Sequence, residues 1–372
     1  MNGPSVEQRL LRHERRETDY AEQMRHHLGP AIALFEDQDV AEVYVNPGAP
    51  QVWVESRRLG RRATGLQLEP DRIRVFLNTV ADRARETLGV SSAHIAAQLP
   101  LAYFEGARLQ GLLPRVVVSP CFVIRKRPDR VYPLAEYLET GMMTALQYAA
   151  IRRAIEERKN ILVAGGTGSG KTTLVNAILK GMTDSNPKDR LVILEDTPEL
   201  QCEAADQCSM QTTFALDLAD LVKLTLRTSP DRIIVGEVRD EAALHLMDGW
   251  VTGHPGGAGT VHATTAKGAL RRMERLARRA ANTDHSEFVA EAIDLVVLIA
   301  GTGRSRKVTD VVCVESELDA HGHYQVRPAG REVAGREVPP SGLQPASSIV
   351  NDSPTKDATE ERPRLHNGQG ES

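Results

Sequence analysis

Residues 165–172 read G-G-T-G-S-G-K-T and follow the apolar run Ile161, Leu162, Val163. The pattern is a complete P-loop, and its setting matters as much as its letters. An apolar strand delivers a glycine-rich turn, and the stretch T-T-L-V-N-A-I-L-K carries the chain on as a helix. Gly165, Gly168 and Gly170 lack a Cβ, so the backbone N–H groups can face phosphate oxygens. Lys171 brings a point charge to the β- and γ-phosphates, and the Thr172 hydroxyl is placed to ligate Mg²⁺. The helix that begins near Lys171 adds its positive N-terminal dipole. The candidate nucleotide contacts are therefore Gly165, Gly166, Thr167, Gly168, Ser169, Gly170, Lys171, Thr172 and Thr173, and the sequence predicts a site for ATP with Mg²⁺.

Outward from that loop, strands alternate with helices. Strand-like runs fall at 191–195, 233–236, 259–263, 294–300 and 307–315, and an amphipathic helix over 145–158 precedes the loop. Alternation at this spacing predicts an α/β domain with a mostly parallel sheet of the doubly wound type. Upstream the period changes. V-A-E-V-Y-V-N-P-G-A-P-Q-V-W-V-E, from Val40, alternates with period two around an Asn-Pro-Gly turn and reads as a hairpin. A helix and further strands follow, giving a smaller α+β domain over 31–129 and a linker over 130–142. Residues 1–30 read as a charged, solvated helix, and the ATP domain spans 143–317. From 318 to 372 the chain is polar and rich in Gly, Pro and Ser, and is expected to be a disordered tail.

Bulk properties exclude several classes. The 372 residues hold 46 Lys+Arg against 50 Asp+Glu, a net charge of −4, and 4% aromatics. That gives no electrostatic or stacking case for direct nucleic-acid readout. No signal peptide is read in the first 30 residues, and the longest apolar run, 295–300, is too short to span a bilayer. The expectation is a cytoplasmic protein with peripheral membrane contact only. Four scattered cysteines (Cys121, Cys202, Cys208, Cys313) show no zinc spacing and read as free thiols.

Three further segments carry chemistry. L-V-I-L-E-D-T-P-E-L, residues 191–200, ends a strand in Glu195 and Asp196, at the carboxyl edge where open parallel sheets bind ligands. S-P-D-R-I-I-V-G-E-V-R-D, residues 229–240, places Gly236 where a Walker B acid usually stands, with Glu237 next. Gly236 would let the strand pass close to the phosphate loop, and Glu237 can polarise water or hold a water of the Mg²⁺ shell. Arg239 and Asp240 read equally as an ion pair. T-G-H-P-G-G-A-G-T-V-H-A-T, residues 252–264, brings His254 and His262 to either side of a glycine-rich turn. Their spacing is wrong for a helical metal pair, which favours a γ-phosphate or interface sensor.

In this order the four segments resemble the secretion-superfamily (type II/IV secretion) traffic ATPases, with a Walker A motif, an acidic box, a Gly-Glu Walker B and a His box. G-E-V-R-D with T-G-H is the specific part. V-A-E-V-Y-V-N-P, V-W-V-E and C-F-V-I-R-K-R-P are similar to the type IV secretion and conjugal-transfer branch, TrbB-type ATPases most of all. The likeness covers roughly 39–315. It implies a RecA-like ATPase domain behind a PAS-like amino domain, a homo-hexameric ring, and inner-membrane components of a secretion apparatus as partners. It further implies that Lys171 and Thr172 hold phosphate and Mg²⁺, that Glu195 and Glu237 share water activation and metal support, and that His262 senses the γ-phosphate. Arg108 and Arg125 match arginines that approach the nucleotide, and Arg227 could serve between subunits. The four-cysteine zinc module common in type II relatives is missing. A pilus-assembly or retraction-like ATPase, a nucleotide-gated scaffold and a DNA-translocating motor are the alternatives.

Overall fold

The structure is a computed structural model that describes residues 6–89, 92–127, 130–213 and 215–329. Two sheets organise it. Six antiparallel strands form the first: β1 (Val40–Val45), β2 (Gln51–Ser56), β3 (Gly60–Gln67), β4 (His94–Gln98), β5 (Arg108–Leu112) and β6 (Cys121–Arg125), in the order β3-β2-β1-β6-β5-β4. Valines of β1 and β2 alternate inward, and the helices Val6–Leu28 and Pro70–Ala84 cover that face with Met24, Leu28, Ile73, Phe76 and Leu77, so the helix read as solvated is instead packed along Ala21, Met24 and Leu28. Pro70 opens the second helix, where a missing N–H costs nothing.

The second sheet has eight strands: β7 (Ile161–Gly165), β8 (Leu191–Glu195), β9 (Gln207–Gln211), β10 (Arg232–Val235), β11 (Ala258–Val261), β12 (Leu295–Ala300), β13 (Lys307–Leu318) and β14 (Tyr324–Pro328). Their order is β14-β13-β12-β7-β11-β10-β8-β9. Strands β12 to β9 pair in parallel, whereas β13 and β14 add an antiparallel edge. β7, β8 and β10 are buried along their whole length, as central strands covered on both faces must be. Helices Ala145–Glu156 and Lys171–Ser185 cover one face, and Leu218–Thr225, Ala242–Val251, Ala266–Ala280 and Ser286–Ala292 cover the other. The first starts at a reciprocal Thr144–Gln147 capping box.

The expectation of an unstructured tail from 318 is corrected for its first part. β14 pairs with β13, and Tyr324 is buried, donating to Glu274 Oε2 at 3.1 Å. One buried aromatic anchors a strand that its polar neighbours disguise. Residues 330–372 lie outside the described residues.

Register fixes the geometry of the site. Val261 pairs with Ala164, so His262 follows beside Gly165; Leu194 pairs with Val235, so Glu195 stands beside Gly236. The carboxyl ends of β7, β8, β10 and β11 thus converge, as open parallel sheets require of a ligand site.

Candidate nucleotide site

The P-loop turn keeps its shape through Gly168 and Gly170, with φ of +72° and +95°. Gly165 is needed for another reason. A Cβ there would lie 2.4 Å from the Ile299 carbonyl oxygen and 2.5 Å from Ser169 Oγ, so strand packing forbids a side chain irrespective of any phosphate. Ser169 donates its hydroxyl to the Gly166 carbonyl at 2.9 Å, closing the loop. Gly166, Thr167 and Gly168 are exposed along its rim.

Lys171, only 8% exposed, donates its ammonium to the carbonyls of Gly165 (3.1 Å) and Gly166 (2.9 Å). Burial pushes its proton affinity down, the nearby Glu237 opposes this, and Arg125 pushes it down further. His262 bridges two charged groups, with Nδ1 3.3 Å from Lys171 Nζ and Nε2 3.2 Å from Glu237 Oε1. A neutral ring that accepts at Nδ1 and donates from Nε2 satisfies both neighbours. Burial pushes the Glu237 carboxyl up. The hydrogen bond and charge of Arg239, with His262 and Lys171 behind it, outweigh burial and hold it below the usual glutamate range.

Glu195 is placed differently. It is 6% exposed, and its Oε1 accepts from the backbone N–H groups of Glu199 and Leu200, both at 2.9 Å. Burial raises its pKa, and the two backbone donors oppose that rise without cancelling it. Glu195 therefore anchors the loop after β8. Gly236 serves the same arrangement, since a Cβ there would sit 2.9 Å from Glu195 Cγ. This, and not closeness to the phosphate loop, is what the structure asks of that glycine.

The acid at Thr172 is Glu199, whose Oε2 accepts from Thr172 Oγ1 at 3.3 Å. Sequence reasoning stopped at the strand-end pair Glu195–Asp196 and passed over Glu199 four residues on. The signal was there in Pro198–Glu199, a turn residue followed by an acid. Arg108 of β5 lies 3.7 Å from Glu199 Oε1, and Arg127 donates to the Pro198 carbonyl (Nε at 3.0 Å). Arg127 was also missed, hidden in R-K-R-P. Arg125 pairs with Arg108 in register and lies 3.7 Å from Glu42 Oε1.

Other candidates fall elsewhere. The Arg239–Asp240 pair does not form: Arg239 binds Glu237 (2.7 Å) and Asp196 (2.9 Å), whereas Asp240 binds Arg279. Asp240 sits in a left-handed turn (φ +47°) that directs it away. His254 bonds the Pro230 carbonyl at 2.7 Å, before β10, and is thus at the opposite end of that strand from Glu237. Arg227 is exposed in the turn after Leu218–Thr225, and Thr173 is half-buried in the first turn of the P-loop helix. All four cysteines are free.

Known proteins match this architecture. The family model described as "Type II/IV secretion system protein" matches residues 106–334. The "Probable conjugal transfer protein TrbB" of Sinorhizobium fredii (strain NBRC 101917 / NGR234) is 43% identical over 295 residues, 79% of this chain and 88% of that protein. The "Conjugal transfer protein TrbB" of Rhizobium radiobacter is 44% identical over 294 residues, with the same shares of the two chains. Among solved structures, the Legionella pneumophila ATPase DotB has a TM-score of 0.52 at 19% identity, covering 78% of this chain and 76% of its own, a likeness of fold.

Proposed function

This chain belongs to the type II/IV secretion system protein family, and on that premise we propose that it is a Mg-ATP-hydrolysing hexameric motor of a conjugation or type IV secretion apparatus. The observation that carries this reading is the chain Lys171–His262–Glu237, linked at 3.3 and 3.2 Å beside the P-loop. A pure binding site has no use for an ionised acid wired through a histidine to the phosphate-binding lysine.

In this reading the loop amides and Lys171 bind the polyphosphate, and Glu237, kept ionised by Arg239, orients the attacking water. His262 holds one oxygen of Glu237 and feels the γ-phosphate through Lys171. The donor set at Thr172 and Glu199 is all oxygen, which suits a hard cation such as Mg²⁺. Thr172 would hold the ion directly, and Glu199 and Glu237 through water. When bound, it neutralises charge on the β- and γ-phosphates.

Arg108 and Arg127 grip the loop that carries Glu199, so a shift of the amino domain is felt at Thr172. That contact is the basis for proposing that ATP binding and release rock the two domains against each other. Among the described residues no helix is long and apolar enough to cross a membrane. A place at the cytoplasmic face of the inner membrane, beside membrane-embedded partners, fits the conjugal-transfer relatives.

The test is Glu237→Gln. The variant is expected to bind ATP as the wild type does and to release phosphate at least 100-fold more slowly, the loss typical of a positioned acid–base group. Unchanged phosphate release would remove Glu237 from the reaction.

A further inference from the structure

A loop that turns its N–H groups toward an anion turns carbonyls outward, and each of these needs its own partner. In this P-loop the carbonyls of Gly165 and Gly166 are met from within, by Lys171 and Ser169. The Gly168 carbonyl is met from outside. It accepts from Arg306 Nη2 at 3.2 Å, across 138 residues of sequence.

Arg306 enters from the connection between β12 and β13, on the flank of β7 opposite the strands that carry Glu195, Glu237 and His262. Its side chain lies directly over Gly170, where an added Cβ would stand 2.7 Å from Arg306 Cδ and 2.8 Å from Nε. Gly170 is thus required twice, by its positive φ and by the arginine's passage. Nε is buried without a hydrogen-bond partner, so packing and not a second hydrogen bond fixes this part of the side chain. A buried unpaired donor of that kind calls for an explanation.

The connection itself is closed. Gly301 has φ +86°, and a Cβ there would meet the Ser305 carbonyl oxygen at 2.3 Å. Thr302 N donates to Ser305 Oγ at 3.2 Å, and Ser305 Oγ donates back to the Thr302 carbonyl at 2.8 Å. At its tip, Gly303 faces the amino domain, where a Cβ would come to 3.6 Å from the Arg57 carbonyl oxygen in the β2–β3 turn.

We propose that Arg306 is a positioning residue for nucleotide binding, holding the P-loop in its anion-binding form through the Gly168 carbonyl. The proposal rests on the reading of the P-loop as a nucleotide site. The mechanism is preorganisation. A loop already held with its amides convergent spends less of its binding energy on ordering when phosphate arrives. The brace sits on the side away from the reacting acids, so it acts on affinity for ADP and ATP alike.

The experiment compares full-length wild type, Arg306→Gln and Arg306→Lys by equilibrium binding of ADP and ATP and by amide hydrogen exchange without nucleotide. Loss of one charge-assisted hydrogen bond is expected to weaken both nucleotides about tenfold in Arg306→Gln, with faster exchange confined to residues 166–170. Arg306→Lys, which retains a charged donor, is expected to recover most of the affinity. Affinities within twofold of wild type would overturn the proposal. So would faster exchange spread through β7, β12 and β13, which would mark Arg306 as a general stabiliser. A wild type that binds neither nucleotide would contradict the functional reading, and the exchange pattern would still decide whether Arg306 braces the loop.

Discussion

Thr172 donates its hydroxyl to Glu199 across 3.3 Å, joining the first turn of the P-loop helix to the loop that follows β8. The neighbouring contacts give this pair its meaning. Glu199 N–H is held by buried Glu195, its carboxylate faces Arg108, and the Pro198 carbonyl before it receives Arg127. Two consecutive residues of one short loop thus touch the phosphate-binding helix on one side and the amino domain on the other.

Arg108→Ala tests that route. The Arg108–Glu199 pair is long and about 40% exposed on the arginine side, so its worth is at most about 1 kcal/mol. The Michaelis constant for ATP is expected to rise about two- to fivefold, with the melting temperature unchanged. An increase beyond about 50-fold would mean that Arg108 contacts the nucleotide itself, the role its resemblance to family arginines implies.

Arg239 holds the Glu237 carboxyl low. Replacing it by Gln removes the largest influence that opposes burial, so the Glu237 pKa rises. The acid limb of the pH–rate profile, which reports protonation of this group, is then expected to move to higher pH. Measurement of ATP turnover from pH 4 upward in both proteins decides the matter. An acid limb that stays in place would sever Arg239 from Glu237 in the working enzyme.

Glu195 separates structure from chemistry. Its native pKa is raised by burial, so its proton contributes stability that is full below the ordinary glutamate value and is lost as pH rises through the native value. Glu195→Gln keeps an acceptor for Glu199 and Leu200 without the buried charge. It is expected to match or exceed wild-type stability at pH 7 and to lose the pH dependence. Glu195→Ala orphans two backbone donors and is expected to cost about 1–3 kcal/mol in urea unfolding. Equal destabilisation by Gln and Ala at pH 7 would show that the charge itself is required.

Much of the fold was legible, because strand and helix periods change cleanly and the P-loop declares its own context. Lys171 and Thr172 could be named because they open the helix that follows the glycine turn, and Glu237 and His262 because they stand just past the carboxyl ends of β10 and β11. What the sequence hid was pairing across distance. Glu195 and Glu199 look interchangeable in L-E-D-T-P-E-L until burial turns one into an anchor and leaves the other at Thr172. Arg239–Asp240 reads as a pair, yet a left-handed residue sends Asp240 to Arg279. Arg306, in the basic turn R-S-R-K, carries no local signal at all, because only the β12–β7 register brings it to Gly168.

The central claim is that this P-loop hydrolyses ATP. The most direct measurement is phosphate release from Mg-ATP by wild type and Lys171→Ala over a range of protein concentrations. Lys171 is a buried cation whose proton affinity burial already depresses, so its loss is expected to leave the melting temperature within about 3 °C. The expected result is wild-type specific activity that rises with concentration to a plateau, as a site completed across subunits requires, and no turnover in the variant. Turnover by Lys171→Ala at the wild-type rate would contradict the assignment of the site.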